Sequence, residues 1–275
     1  MKKIAVIGYG YVGKAMARLL YTHYEVWIYD PFINEHIEDL DNVYYTNDEN
    51  RINECELAVI CVPTPQGKDG HCDTSIVEDT LKWLKTPLIL IKSTVKPGFI
   101  DRMKKETGKR IIFSPEYIGE STYQHNYSFQ TIMENTPFLI LGGDKKDTSA
   151  ILDLFVPILG PQKTYYQVSA KEAEVIKYME NTYFAVKVIF ANEMKKICDV
   201  LGVDYYTVRT GWALDPRVDQ MHTMVFPDKP GFGGKCLPKD TSAIVKAVQE
   251  AGYNPIMLEA MIKSNNKIHE DINNS

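Results

Sequence analysis

Lys3-Ile4-Ala5-Val6-Ile7-Gly8-Tyr9-Gly10-Tyr11-Val12-Gly13 opens the chain with a short apolar run that closes in a glycine-rich turn. The run is continuous rather than alternating, which is the pattern of a strand buried on both faces. Val12 to Leu20 then carries apolar residues at helical intervals. Strand, tight glycine turn and helix in this order predict one unit of a parallel sheet. The three glycines stand at G-x-G-x-x-G spacing, with the helix N-terminus directly behind them.

The same alternation continues outward from this stretch. Glu25–Asp30, Leu57–Val62, Leu88–Ile91 and Arg110–Phe113 are short β-rich runs, and helical patterns at Thr74–Leu84 and Gly98–Thr107 separate several of them. Phe138–Leu141 and Lys146–Leu159 read as a last strand and helix. Strands alternating with helices predict a doubly wound α/β sheet of the Rossmann type. In that setting Gly8 and Gly10 permit the turn and the close approach of a pyrophosphate, and Gly13 lets the helix pack on the strand. Tyr11 and Val12 begin the helix whose free N–H groups and dipole face the phosphates. Asp30 ends the second strand about 20 residues on, where an acid binds ribose hydroxyls. A carboxylate there repels a 2′-phosphate, and Pro31-Phe32-Ile33-Asn34 supplies no arginine for one, so the expected cofactor is NAD.

After about Val168 the pattern changes. Ala170–Leu201 holds neither proline nor glycine, and its apolar residues recur at three or four. It reads as one long helix ended by Gly202. Further helices are expected at Tyr205–Trp212, Thr241–Ala251 and Pro255–Ile272, with an irregular stretch from Asp215 to Asp240. The expected organisation is a Rossmann-type domain at 1–168, followed by an all-helical central domain at 169–275. The long helix is apolar over more than one face and needs a cover, so a homodimer is expected.

Composition narrows the function classes. Of 275 residues, 44% are hydrophobic and 24% charged, as in a soluble globular chain, and the net charge of −5 argues against nucleic acid as the main partner. Cys55, Cys61, Cys72, Cys198 and Cys236 form no C-x-x-C pair and no even framework, so neither disulfides nor a metal cluster is expected. The N-terminus lacks a signal-peptide core, and no apolar run reaches the ~20 residues that span a bilayer. A cytoplasmic location is expected.

Gly231-Phe232-Gly233-Gly234-Lys235-Cys236-Leu237-Pro238-Lys239-Asp240 is the most informative segment of the second half. Its glycines let backbone N–H groups approach a ligand. Cys236 is expected near a helix start, where the dipole and two lysines favour a reactive thiolate. An isolated cysteine is more often a small buried hydrophobe; the polar, glycine-rich setting points the other way.

These residues together resemble the UDP-glucose/GDP-mannose dehydrogenase family. Gly231–Asp240 is similar to its active-site signature, and Val62-Pro63-Thr64-Pro65, Lys92-Ser93-Thr94-Val95 and Ser114-Pro115-Glu116-Tyr117-Ile118-Gly119-Glu120 resemble further segments in the same order. Lys177 and Asn181, one helical turn apart, match a family pair, and Arg217 resembles a substrate-contacting arginine. The resemblance implies NAD-dependent oxidation of a nucleotide-sugar primary alcohol to the carboxylate, with UDP-glucose expected as substrate. It implies Cys236 as nucleophile, Glu116 as general base, Lys177 and Asn181 as holders of the oxyanion, and Thr94 and Asp240 as water-positioning groups. Pro63, Thr64, Ser93, Glu120 and Lys239 would line the cofactor. Arg217, Gly231, Phe232 and Gly233 would hold the substrate.

The resembled enzymes continue into a further nucleotide-binding domain, which the expectation leaves outside this chain. Gly119 also replaces a larger family residue. Two alternatives remain: a two-electron hydroxyacid dehydrogenase, which has no need of Cys236, and a non-catalytic NAD-binding remnant that acts with a partner.

Overall fold

The computed structural model describes residues 1–33, 40–118 and 132–273. The contacts divide the chain into two compact units. The first comprises Met1–Pro65 and Cys72–Lys177; the second comprises Gln66–His71 and Tyr178–Ser275. The sequence alone suggested a division near Val168. The observed one falls inside the long helix, and the short Gln66–His71 segment joins the second unit, where His71 Nε2 lies 2.9 Å from Glu250 Oε1.

The first unit is built on an eight-stranded sheet. In chain order the strands are β1 (Lys3–Ile7), β2 (Glu25–Tyr29), β3 (Val43–Tyr45), β4 (Leu57–Ile60), β5 (Leu88–Ile91), β6 (Ile111–Phe113), β7 (Phe138–Gly142) and β8 (Thr164–Val168). Their order in the sheet is β3-β2-β1-β4-β5-β6-β7-β8, parallel throughout except between β6 and β7. Helices α1 (Tyr11–Leu20), α2 (Glu49–Asn53), α3 (Ser75–Trp83), α4 (Phe99–Thr107) and α5 (Lys145–Leu159) connect the strands.

The central strands supply two cores by simple alternation. Ala5, Ile7, Ala58, Ile60, Ile89, Ile91, Ile111 and Phe113 pack with α2, α3 and α4. Ile4, Val6, Leu57, Val59, Leu88, Leu90 and Ile112 pack with α1 and α5 on the other side. Each strand is therefore apolar at every position, because both of its faces are covered. This is the doubly wound arrangement expected. The strand order reverses between β1 and β4, so ligands are expected beyond their carboxyl ends.

Three elements differ from the sequence expectation. β3 has only three residues, and β8 is an edge strand with a largely exposed Thr-Tyr-Tyr-Gln-Val pattern; neither carries the buried-strand signal. The five-residue α2 is too short to show a helical period. The domain thus continues one strand beyond Leu159.

The second unit is helical. It contains the greater part of α6 (Ala170–Leu201), with α7 (Tyr205–Trp212), α8 (Leu237–Glu250) and α9 (Ile256–Asn273). At 32 residues α6 is about 48 Å long. It stops where expected, because Gly202 adopts the left-handed conformation at φ 70° and the Val203 N–H bonds back to the Cys198 carbonyl. Phe232 is inserted among Ala185, Ile189, Met261 and Ile268 to form the main core of this unit. α8 begins four residues earlier than expected. Pro238 lies in its first turn, where a missing N–H costs nothing, so it starts the helix instead of blocking it. Among the described residues no helix is long and apolar enough to cross a membrane.

Candidate active site

In the first unit the glycine turn sits between β1 and α1, and its three glycines meet three different constraints. Gly8 has φ 88°, and a Cβ there would lie 2.8 Å from the Cys61 carbonyl oxygen. A Cβ on Gly13 would lie 1.9 Å from the Gly8 oxygen, so only glycine lets α1 close on the strand end. Gly10 is the reverse case, with nothing within 4 Å of the Cβ position. Its bare backbone faces open space at the start of α1, as a pyrophosphate cradle requires. Tyr11 is exposed in that first turn and Val12 is half-buried.

Asp30 belongs to the same turn. Its carboxylate accepts the Tyr9 N–H at 2.7 Å and the Phe32 N–H at 3.0 Å, which fixes it beside the loop. The carboxyl ends of β4 and β5 adjoin. Ser93 donates its hydroxyl to the Val62 carbonyl at 2.7 Å, Thr64 is buried, Pro63 is exposed and Thr94 is half-buried. The glycine cradle and the acid therefore fit the adenosine diphosphate portion of NAD. Glu120, also expected at the cofactor, lies outside the described residues, as do Gly119 and His125.

A second cluster in this unit surrounds Glu116. Its Oε1 accepts the N–H groups of Tyr117 and Ile118 at 2.7 and 2.8 Å, and its Oε2 lies 3.1 Å from the Lys92 ammonium. Burial pushes the carboxyl up, but Lys92 and the two N–H groups outweigh it and hold Glu116 below its ordinary value. Among the described residues Oε2 has no aligned hydrogen-bond donor, and it is shielded from solvent. Lys177 donates to the Glu116 main-chain carbonyl at 2.6 Å and lies over the Tyr117 ring.

The second unit holds the cysteine segment. Cys236 occupies the N-cap of α8, and its carbonyl accepts the Asp240 N–H at 2.9 Å. Asp240, one turn on, is buried; it accepts from the Asn181 side chain and from the Lys239 ammonium, both at 2.5 Å. Asn181, Asp240 and Lys239 thus form one network beneath the cysteine turn. Lys239, expected at the cofactor, is engaged with Asp240. Of the five cysteines, Cys55, Cys72 and Cys198 are buried, Cys61 is half-buried and Cys236 is exposed. Burial pushes the Cys55 thiol up to about 12 and the Cys61 thiol higher still, leaving both as inert thiols.

The glycine stretch before Cys236 is held from within. Gly231 donates to Asn192 on α6, and Phe232 makes paired bonds with the Asn265 side chain on α9, donating its N–H and accepting at its carbonyl. The same carbonyl also meets His269 Nε2 at 3.1 Å. Phe232 itself is core. Gly233 and Gly234 have open space at the Cβ position and are the members of this run free to approach a ligand. Arg217 remains on the surface, paired with Asp215 at 2.6 Å. His222 is half-buried with its ring 4.3 Å from that of Phe184.

Sequence reasoning passed over Lys92, Asn192, Asn265 and His269. Lys92 had a legible signal, a lone charge directly after four apolar strand residues. The other three look like ordinary helix-face polar residues until the loop they hold is in place.

Residues 20–155 match the NAD binding domain of the UDP-glucose/GDP-mannose dehydrogenase family, and residues 171–267 match its central domain. The chain is 29% identical to UDP-glucose 6-dehydrogenase TuaD of Bacillus subtilis over 97% of its own length and 63% of that enzyme's. It therefore spans less than two thirds of that relative. The structure resembles that of a UDP-glucose dehydrogenase from Pyrobaculum islandicum, with a TM-score of 0.82, 25% identity and coverage of 97% of this chain and 68% of that one. The fold is also that of a 3-hydroxyisobutyrate dehydrogenase from Mycobacterium tuberculosis, with a TM-score of 0.72, 19% identity and coverage of 98 and 94%. With both domain signatures matched in order, and with the glycine cradle for NAD in place, this chain belongs to the UDP-glucose/GDP-mannose dehydrogenase family.

Proposed function

We propose that this chain carries the NAD-binding and catalytic parts of a four-electron dehydrogenase that oxidises a nucleotide-sugar primary alcohol, UDP-glucose first among candidates, to the carboxylate. One observation carries the reading: the single exposed cysteine stands at the N-cap of α8 in a glycine-rich turn, above the buried Asn181–Asp240–Lys239 network. On this reading residues 1–168 are the NAD-binding domain and 169–275 the central catalytic and dimerisation domain.

NAD, when bound, accepts one hydride in each of two successive oxidations. The residues are assigned around that chemistry. The first oxidation turns the alcohol into an aldehyde and releases one proton. The Cys236 thiolate adds to the aldehyde carbon to give a thiohemiacetal, so the intermediate stays attached. The second oxidation converts the thiohemiacetal to a thioester. Water cleaves the C–S bond, returning the thiol and leaving the carboxylate. The sum is one alcohol, one water and two NAD giving one carboxylate, two NADH and three protons.

Lys177 and Asn181, neighbours at i and i+4 on α6, are assigned to the tetrahedral oxyanions. Glu116 is assigned as the base acting through water, supported by the Lys92 ion pair and the two N–H groups that hold it as a carboxylate. Thr94 and Asp240 are assigned to positioning that water, Glu120, Lys239 and Ser93 to the cofactor, and Arg217, Gly231, Phe232 and Gly233 to the substrate. A cytoplasmic location and a role in supplying polysaccharide precursors complete the proposal.

The likeness to a 3-hydroxyisobutyrate dehydrogenase over nearly its full length favours a two-electron reading as the alternative. The test is NADH formed per UDP-glucose consumed, with Cys236→Ser in parallel. Two NADH per sugar and loss of turnover in the variant establish thioester chemistry. One NADH per substrate, with the variant unaffected, establishes the alternative. NAD binding without turnover on any nucleotide sugar leaves the non-catalytic remnant.

A further inference from the structure

The fit of Lys92 around Glu116 carries one step more, and it rests on the reading of Glu116 as the water-activating carboxylate. Lys92 directly follows β5, where its main chain is bonded to β4, and its side chain is almost wholly buried. Its ammonium donates to the Ser114 hydroxyl and the Pro115 carbonyl and forms an ion pair with Glu116 Oε2, each at 3.1 Å. Ser114 is itself fully buried and donates its main-chain N–H to the Ile91 carbonyl. A single cation thus spans three consecutive residues of the chain that leaves β6.

Such a group is costly to bury. A desolvated ammonium costs several kcal/mol unless its charge and all its N–H groups are matched. Hydrophobic replacement of a buried ion pair is often neutral or stabilising, so stability alone gives no account of this one. Its geometry does something more specific. With Tyr117 and Ile118 donating to Oε1, the Lys92 ion pair fixes the carboxylate from its Oε2 side. We propose that Lys92 is the positioning residue of the general base, holding Glu116 as an oriented carboxylate for the reacting water.

Among the described residues, few charged or titratable groups face this pair. Lys177 meets the main-chain carbonyl of Glu116, and the Cys61 thiol at the end of β4 is held neutral by burial. Tyr117 packs under Lys177. Among the described residues Lys92 is therefore the cation in direct contact with the carboxylate, and removing it leaves burial opposed by the two N–H groups.

The experiment follows Glu116 by carboxyl ¹³C NMR, assigned by difference with Glu116→Gln, across a pH series on the whole chain. In wild type the carboxylate is expected to titrate below an ordinary glutamate. In Lys92→Met the midpoint is expected to rise by roughly one to three units, the effect of an adjacent opposite charge. The acid limb of kcat/KM should move with it while KM for NAD stays unchanged. An unmoved midpoint in Lys92→Met, or a wild-type midpoint at or above the ordinary value, overturns the proposal. The wild-type arm decides even if Lys92→Met fails to fold. Full NADH turnover by Glu116→Gln would instead sink the reading of Glu116 as base, and is distinguishable because it leaves the titration result intact.

Discussion

Gly10 and Gly13 stand three residues apart and make opposite demands. An alanine at Gly13 drives its methyl into the Gly8 carbonyl, which cannot retreat without opening the β1–α1 turn. An alanine at Gly10 meets no atom of the described residues and suits the observed backbone, with φ −76°. Gly10→Ala is therefore expected to melt within a few degrees of wild type and to lose most of its NAD affinity, because the methyl occupies the pyrophosphate's place. Gly13→Ala is expected to lose both stability and NAD binding. Thermal unfolding beside NAD titration separates the two, and equal loss of stability in both variants would defeat the cradle reading.

At the scale of elements, the first turns of α6 hold the start of α4. Glu174 is fully buried and accepts the Gly98 and Ile100 N–H groups at 2.5 and 2.9 Å, so a carboxylate supplies the cap that glycine at the helix start lacks. Burial raises this carboxyl to about 7 against the two N–H bonds, with Asp101 adding to the rise and Lys171 opposing it. The folded value lies above the unfolded one, so the folded state binds more protons. Its contribution to stability is present below about pH 4.5 and is lost as pH rises toward about 7. Wild type should lose stability relative to Glu174→Gln between about pH 5 and about pH 8, measured by thermal unfolding; a pH-independent difference would show that Glu174 does not titrate there. In the second unit, Asn265→Ala strands the N–H and carbonyl of buried Phe232. It should cost on the order of 2 kcal/mol in urea unfolding and change the alkylation rate of Cys236, because α9 anchors the turn that carries it. A loss of stability with unaltered Cys236 reactivity would confine Asn265 to a structural part.

At the scale of the whole molecule, Met179, Tyr183, Phe190 and Ile197 expose a run of apolar side chains along α6, and Trp212 on α7 packs beside Phe190. Exposed large apolar patches on a folded chain mark association surfaces. Together with the breadth of the apolar stripe this supports the proposed homodimer. Light scattering is expected to give twice the chain mass, and Phe190→Asp to give the monomer mass with helix content unchanged. A monomeric wild type would remove the proposal. The local signals were the legible ones. β1, β4, β5 and β6 read as strands because both faces of each are covered, and α6 read to its last residue because Gly202 ends it. The G-x-G-x-x-G turn, Asp30 and the Gly231–Asp240 segment declared themselves through residue types whose chemistry is local. β3 and β8 were silent because edge strands need no apolar pattern, and the start of α8 lay four residues before the expected one because proline fits a helix's first turn. The Lys92 clamp on Glu116, the Asn265 hold on Phe232, the burial of Phe232 and the attachment of Gln66–His71 to the helical unit lay beyond sequence reading. Each joins residues more than twenty positions apart, or places a side chain by what packs around it. The sequence by itself determined which segments become strands and helices and where the reactive chemistry lies along the chain, since period and turn residues act within a few positions. Only the tertiary structure decided which charges meet and which side chains are buried, because those partners are chosen by the order of strands in the sheet and the packing of helices.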